Sequence, residues 1–155
     1  MPTDPVPESI RADCLSLINE SRTMTVSTGG DDPWSAPVYY LYRDNCFFFF
    51  SSPESRHIKD GAGNRCAASL FEDSTDITQL RGIQMSGRIE PSGSHAKAAR
   101  TAVAYARRFG LKTSGGNAID FFKTHYRAGL YRFVPEEIYY MDNRRGFAQR
   151  VKIDL

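Results

Sequence analysis

Apolar residues at Ile10, Cys14, Leu17 and Ile18 recur at i, i+4, i+7 and i+8, which places them on one face of a helix over roughly Pro7–Glu20. Pro7 suits its first turn, where a missing N–H costs nothing. The period then changes. Thr23–Thr28 (TMTVST) alternates and is β-branched, which fits a pleated, half-buried surface. GGDDP makes a turn, and Trp34–Arg43 (WSAPVYYLYR) predicts a second strand. Asp44-Asn45 turn the chain into Cys46–Ser51 (CFFFFS), giving a three-strand antiparallel meander. Pro37 cannot donate to a central ladder, so it implies an edge, a bulge, or a site where the ladder opens to something else.

Beyond the meander, a short helix is expected from about Ser55 to Gly61, with GAGN ending it through residues that tolerate a left-handed backbone. Arg65–Phe71 (RCAASLF) and Arg81–Glu90 (RGIQMSGRIE) read as the fourth and fifth strands, separated by the polar EDSTDITQL. Ser94 can cap a helix over His95–Phe109, with Ala99, Ala102, Val103, Ala106 and Phe109 on its buried face. Asn117 to about His125 predicts another helix, entered through Ser114-Gly115-Gly116. Strands return at Gly129–Val134, Ile138–Met141 and Gln149–Ile153. About seven antiparallel strands interrupted by helices suggest a small barrel with helical additions, mainly β in class (α+β).

Composition narrows this picture. With 155 residues, 41% of them hydrophobic and 25% charged, the chain reads as one soluble domain, residues 1–155, whose first 22 residues are a tail and a helix packing on the barrel. A net charge of +2 lacks the concentrated basic face of a nucleic-acid or membrane-surface binder. No apolar stretch approaches the ~20 residues that span a bilayer. The start, MPTDPVPES, has no basic region leading into an apolar one, so a cytoplasmic location is expected. Cys14, Cys46 and Cys66 form no ligand spacing and read as small buried side chains. His57, His95 and His125 are scattered, so no metal site is expected.

The stretch that carries chemistry is Cys46–His57, CFFFFSSPESRH. Pro53 ends the strand, and the hydroxyls of Ser51, Ser52 and Ser55 then stand within a few residues of the Arg56 guanidinium and the start of a helix. Hydroxyls, a guanidinium and free backbone N–H groups are what an oxyanion such as phosphate requires. The same residues also read as a strand, a turn and a Ser-capped helix with a solvated Arg.

WSAPVYY, FFFFSSPESRH, RGIQMSGRIE and FVPEEIYYMDN, taken in order, resemble the pyridoxamine 5′-phosphate oxidase-like superfamily of FMN-binding split β-barrels, from about Thr23 to the C-terminus. Within it, RGIQMSGRI, AYARRF and DNRRGF look closest to a group of small, largely uncharacterised bacterial members. The resemblance implies an antiparallel split β-barrel with peripheral helices, binding FMN at the interface of a homodimer. The segment Trp34, Ser35, Ala36, Pro37, Val38 and Tyr39 would run along the flavin ring and ribityl chain. Phe50 and Ser51 would stand beside the phosphate, with Ser55, Arg56 and His57 on it. His57 occupies a place where the family usually has Lys, and His is mostly neutral at pH 7. Gly82 falls where the oxidases place a flavin-contacting Gln; Gln84, two residues on and on the same strand face, either serves the ring edge or faces solvent. Met141 stands where the oxidases have a Trp that touches flavin from the other subunit. Asn143 and Arg144, in Asp142–Phe147, are candidates for a contribution in trans; Arg144 and Arg145 either reach an anion or are solvated turn residues.

DNRRGFAQR lacks the Arg-x-His pair with which the oxidases bind pyridoxal phosphate. The resemblance therefore implies an FMN-dependent oxidoreductase with a different small-molecule substrate or NAD(P)H as partner. A flavin- or haem-binding sensor without turnover on the same barrel is the alternative. No catalytic residue is identified, and hydride transfer to a flavin requires no protein acid or base.

Overall fold

Tyr40 divides the predicted second strand into β2 (Trp34–Tyr39) and β3 (Leu41–Arg43), and the two halves belong to opposite ends of one sheet. This is seen in a computed structural model that describes residues 6–113 and 117–155; Ser114-Gly115-Gly116 lies outside the described residues. The other strands are β1 (Thr23–Thr28), β4 (Cys46–Ser51), β5 (Arg65–Glu72), β6 (Arg81–Pro91), β7 (Gly129–Asp142) and β8 (Arg150–Lys152). All named strand pairs are antiparallel, in the order β2-β1-β5-β6-β7-β4-β3, with β8 added on β7. Because β2 and β3 are joined through a single residue, the two ends of this path must meet, and the sheet curls into a barrel. The meander is corrected accordingly: β2 pairs with β1 and β3 with β4, leaving a seam between β2 and the far half of β4. Asp44 and Asn45, with φ of 51° and 55°, form the two-residue turn of the β3–β4 hairpin.

The last predicted strands are also corrected. Gly129–Val134 and Ile138–Met141 are parts of one fourteen-residue strand, β7. Pro135 is accommodated because the register slips there: Gly87 faces Pro135 while Ser86 faces Glu137, leaving Glu136 as the bulged residue. Gly87 is required at this crossing, since a Cβ would run into the Val134 carbonyl oxygen and lie 2.9 Å from the Phe133 ring.

Alternation places Met24, Val26, Val38, Phe47, Phe49, Ile83 and Phe133 inside the barrel. Each Tyr-Tyr pair divides by the same rule, Tyr40 and Tyr140 inside, Tyr39 and Tyr139 outside or half-buried. Helix α1 (Glu8–Glu20) packs Cys14, Leu17 and Ile18 against this core, and the Tyr40 hydroxyl donates to the Ile18 carbonyl at 2.6 Å. Helix α2 (Arg56–Gly61) adds Ile58. The run Phe47–Phe50 is apolar throughout because β4 is covered on both faces: Phe48 and Phe50 point out, beneath α3 (His95–Arg108) and α4 (Ala118–Tyr126). The buried face of α3 is Ala98, Thr101, Ala102, Tyr105 and Ala106, rotated from the expected one, and Val103 is exposed. Tyr105 sets that rotation, since it packs inward on Phe50 and Phe122. The three cysteines are free and buried, and burial pushes the Cys14 thiol up to about 12. No helix among the described residues is long and apolar enough to cross a membrane.

Candidate functional site

β4 ends where its ladder with β7 ends, at Ser51 opposite Gly129, and the chain turns through Ser52-Pro53 into α2. The turn folds back because the Ser55 amide and hydroxyl both donate to the Ser52 carbonyl, at 3.0 and 2.6 Å. This brings Ser55 to Ser51, oxygen to oxygen at 3.0 Å, and puts His57 Nε2 2.8 Å from the Ser51 hydroxyl and 3.5 Å from that of Ser55. One proton arrangement satisfies the short contacts together. Ser55 spends its proton on Ser52, Ser51 donates to Ser55, and His57 donates from Nε2 to Ser51. Burial lowers the His57 pKa below the ordinary imidazole value, so the ring is neutral at pH 7. The cluster is half-buried, two hydroxyls and an imidazole at the end of an otherwise apolar strand.

Arg56 is turned elsewhere. Its guanidinium pairs with Asp32 at 2.5 Å, donates to the Asp32 carbonyl at 3.1 Å, and reaches Asp60 at 3.2 Å. It also lies over the Trp34 ring, 4.6 Å from the centroid. The arginine expected on a phosphate therefore ties α2 to the β1–β2 turn, next to the serine cluster by sequence but engaged with two carboxylates. These pairs are largely solvent-exposed and individually worth at most about 1 kcal/mol.

The remaining expected residues fall into three groups. On β2, Ala36 and Val38 point into the core, so only their backbone is open to a ligand; Ser35, Pro37 and Tyr39 face outward, and Trp34, on the inward side of the strand opposite Thr28, is exposed at the end of the barrel. Ser35 meets Ser27 across the outer face at 2.8 Å. Gln84 is exposed on that same face, in a row that runs Pro37, Thr25, Ser69, Gln84, Tyr139 from β2 to β7. Three strand spacings put it roughly 14 Å from Pro37. Met141 packs one row on, opposite Gly82.

The third group is structural within this chain. Asn143 receives the Ala148 amide and donates to the Ile77 carbonyl. Arg144 grips the buried Asp142 carboxylate through Nε at 2.8 Å and a terminal nitrogen at 2.6 Å, and Arg145 pairs with Asp13. These contacts hold Asp142 at about 2, well below the ordinary carboxylate range.

Sequence reading missed a concavity next to the cluster. Beyond Ser51 and Ser52 lies a cavity of about 670 Å3, walled by Tyr39, Phe50, Tyr105, Phe109, Phe122 and Tyr126, with Arg22 at its edge. The available signal was the i, i+4 spacing of Tyr105 with Phe109 in the α3 segment and of Phe122 with Tyr126 in α4, which puts each pair on one helix face. Among the described residues no group of three or more His, Cys, Asp or Glu could hold a metal ion.

No protein-family model matches the sequence, nor does any curated protein. Solved structures do match. The conserved hypothetical protein Rv2991 of Mycobacterium tuberculosis superposes with a TM-score of 0.69 at 19% identity, over 93% of this chain and 91% of that one. The FAD binding protein of Mycobacterium smegmatis gives 0.62 at 13% identity, over 84% and 93%. A heme binding protein of Mycobacterium smegmatis gives 0.70 at 13% identity, over 96% of this chain and 59% of that one. With its curled antiparallel sheet and peripheral helices, this chain has the split β-barrel fold of these solved structures.

Proposed function

We propose that this protein binds flavin mononucleotide and acts as a redox flavoprotein on a small-molecule partner. The observation that carries the reading is the convergence of Ser51, Ser55 and His57 at the end of β4. Freed from one another, the two hydroxyls turn their protons to phosphate oxygens without moving any heavy atom of the fold. The charge the site lacks is supplied by Arg56, whose exposed pair with Asp32 is weak enough to be exchanged for a dianion. Three charge-assisted bonds, at roughly 1.5–3 kcal/mol each, supply at their upper end the ~8 kcal/mol of micromolar binding, and burial of the ring adds to a weaker set. Outward-facing Pro37 and Tyr39, with the free backbone edge of β2, offer a surface for the ring; Gln84 and Met141 offer a polar and an apolar contact further along the sheet face. The flavin, when bound, supplies the hydride or electron chemistry. The protein's part is to hold and orient it.

The same face supports a homodimer. Thr25, Ser27, Ala67, Ser69 and Gln84 make its middle small in side chain and uncharged, with Phe71 65% exposed at one end and Arg65 and Arg88 at the other. Such a face suits a second copy of itself more than water. Ser69→Arg should then shift the protein from dimer to monomer in light scattering.

Purified protein titrated with riboflavin monophosphate should bind it at micromolar concentration, with a shifted visible absorption band. Bleaching of that band by NADH or NADPH supports turnover; its persistence supports a carrier or sensor. A colourless protein after dialysis against the flavin would remove the reading.

A further inference from the structure

We propose that the Ser51–Ser55–His57 cluster is a proton-linked anion site: a phosphomonoester held by the two hydroxyls is bound together with one proton, carried on His57, and is held more weakly once that proton is gone. That the phosphomonoester is a flavin's rests on the reading above; the linkage itself does not.

The imidazole is placed to carry the charge. His57 Nε2 stands 2.8 Å from the Ser51 hydroxyl, which stands 3.0 Å from that of Ser55. Because Nε2–H donates to Ser51, Ser51 turns its own proton from Ser55 to a phosphate oxygen without losing that bond. Imidazole, hydroxyl and oxyanion then form one donor chain. Nδ1 makes no hydrogen bond among the described residues and is not sealed from water. A proton therefore enters at Nδ1 while the bond to Ser51 stays as it is. Two hydrogen bonds in series put Nε2 roughly 4–5 Å from the bound oxygen. At that range an anion favours the charged ring.

Without an anion, nothing around the ring favours that charge. No carboxylate pairs with His57 among the described residues. On α2 itself Arg56 is held by Asp32 and Asp60, and Lys59 by Glu54 of the preceding turn. β1 carries no ionisable side chain, and β2 only Tyr39, which faces outward. From β4 the Phe49 ring lies 6.5 Å away, and behind it stands Tyr131 of β7, whose hydroxyl is pushed up by burial. The charged groups of β6 are engaged elsewhere, Arg81 with Glu72, Arg88 with Glu136 and Glu90 with Arg132. Cys66 of β5, at the far end of α2, is a thiol also pushed up by burial. The hollows on either side of Ser51–Pro53 bring Tyr39, Tyr105, Tyr126 and three cations, Arg22 in one and Lys123 and Arg127 in the other. Burial therefore lowers the His57 value with no acidic neighbour to oppose it. A phosphate dianion supplies that neighbour and draws a proton from water, in addition to the charge of Arg56. The bound ring's value then lies above the free one, so affinity falls as pH rises through it.

The test follows the three histidine rings of the full chain by NMR from pH 5 to pH 9, alone, with FMN and with saturating phenyl phosphate. The His57 signal, identified by its loss in His57→Gln, should titrate roughly one pH unit or more higher with either ligand bound. His95 and His125 should not move. FMN affinity should fall roughly threefold or more between pH 6.5 and pH 8.5, above the second ionisation of the phosphate near 6. His57→Gln, which keeps a donor for Ser51, should flatten that dependence, and riboflavin, the same ring without the phosphate, should lack it. A His57 titration unmoved by bound FMN, or a pH dependence that survives His57→Gln, would overturn the proposal and leave the flavin reading intact. If FMN does not bind but phenyl phosphate raises the His57 value, the flavin reading fails and the proton-linked site stands. If neither ligand binds, both fall.

Discussion

Tyr105 on α3 donates its hydroxyl to the backbone carbonyl of Tyr39 on β2, at 3.1 Å. This single bond reaches across the seam of the barrel. It ties the helical layer to a strand end whose other side has no ladder partner, and it fixes the wall between the outer sheet face and the aromatic cavity. Tyr105→Phe keeps the ring and leaves that carbonyl without its donor. The expected cost is about 1 kcal/mol in urea denaturation.

Arg56 and Asp32 test the flavin site as a pair. Arg56→Ala should weaken FMN roughly tenfold, about 1.4 kcal/mol. Asp32→Asn should act in the opposite direction, because it removes the carboxylate that competes with phosphate for the guanidinium. The gain is roughly 1.5- to 5-fold, the value of an exposed ion pair. Equilibrium dialysis at two salt concentrations reads both. An Arg56→Ala variant with unchanged affinity would take Arg56 out of the phosphate site.

His57 links the site to pH. Burial lowers its folded-state pKa, so the neutral ring is favoured in the native protein. The stability this confers is complete above the unfolded value, near 6.5, and is lost as pH falls through the folded value. Wild-type protein should therefore lose more stability between pH 7 and pH 5 than His57→Gln. His57→Lys places a fixed charge beside Ser51 and should tighten FMN about tenfold at pH 7.5, the worth of one charge-assisted bond.

How much of this the chain discloses before folding depends on the range of the interaction. Local signals were sufficient for the hairpin turn at Asp44-Asn45, for the end of β4 at Ser51, and for the Ser51–Ser55 approach, since each is settled within six residues. The split at Tyr40 was not legible. WSAPVYYLYR carries an unbroken strand pattern, and only closure of the sheet requires it to change neighbours. Pro135 looked like a strand break for the same reason: its tolerance depends on Gly87, 48 positions earlier. The orientation of Arg56 was hidden because its partner Asp32 lies in a different turn. The aromatic cavity needs four segments to meet, and Tyr105, buried on α3, was not among the residues expected on that helix's buried face.

Gly87 gives the fold its sharpest single test. Any side chain there meets the Val134 carbonyl, which is backbone and belongs to the bulge that lets Pro135 sit in β7. Gly87→Ala should cost about 2–3 kcal/mol, the upper range for forcing a methyl into packed structure. Gly82→Ala is the control, because its nearest neighbour would be 3.5 Å away, and thermal unfolding should separate the two clearly.

Asp142 carries the last prediction. Its carboxylate is buried and accepts from the Tyr140 hydroxyl at 3.1 Å, from the Arg144 amide at 3.0 Å and from the Arg144 guanidinium. The Arg144 guanidinium is the largest cause of its depressed pKa, about 2. A depressed carboxylate contributes stability that is complete above the unfolded value, near 3.9, and lost as pH falls toward 2. Asp142→Asn removes the charge but keeps the shape, so it should destabilise the protein at pH 7 by about 3 kcal/mol, as expected when one partner of a buried pair is removed. At pH 2 most of the difference should be gone, because the wild-type carboxyl is then about half protonated and the unfolded one almost wholly so. If Arg144 instead served an anion bound by a second subunit, Asp142→Asn would release it at little cost in stability and change ligand affinity, so measuring both quantities on one variant decides between a staple and a site.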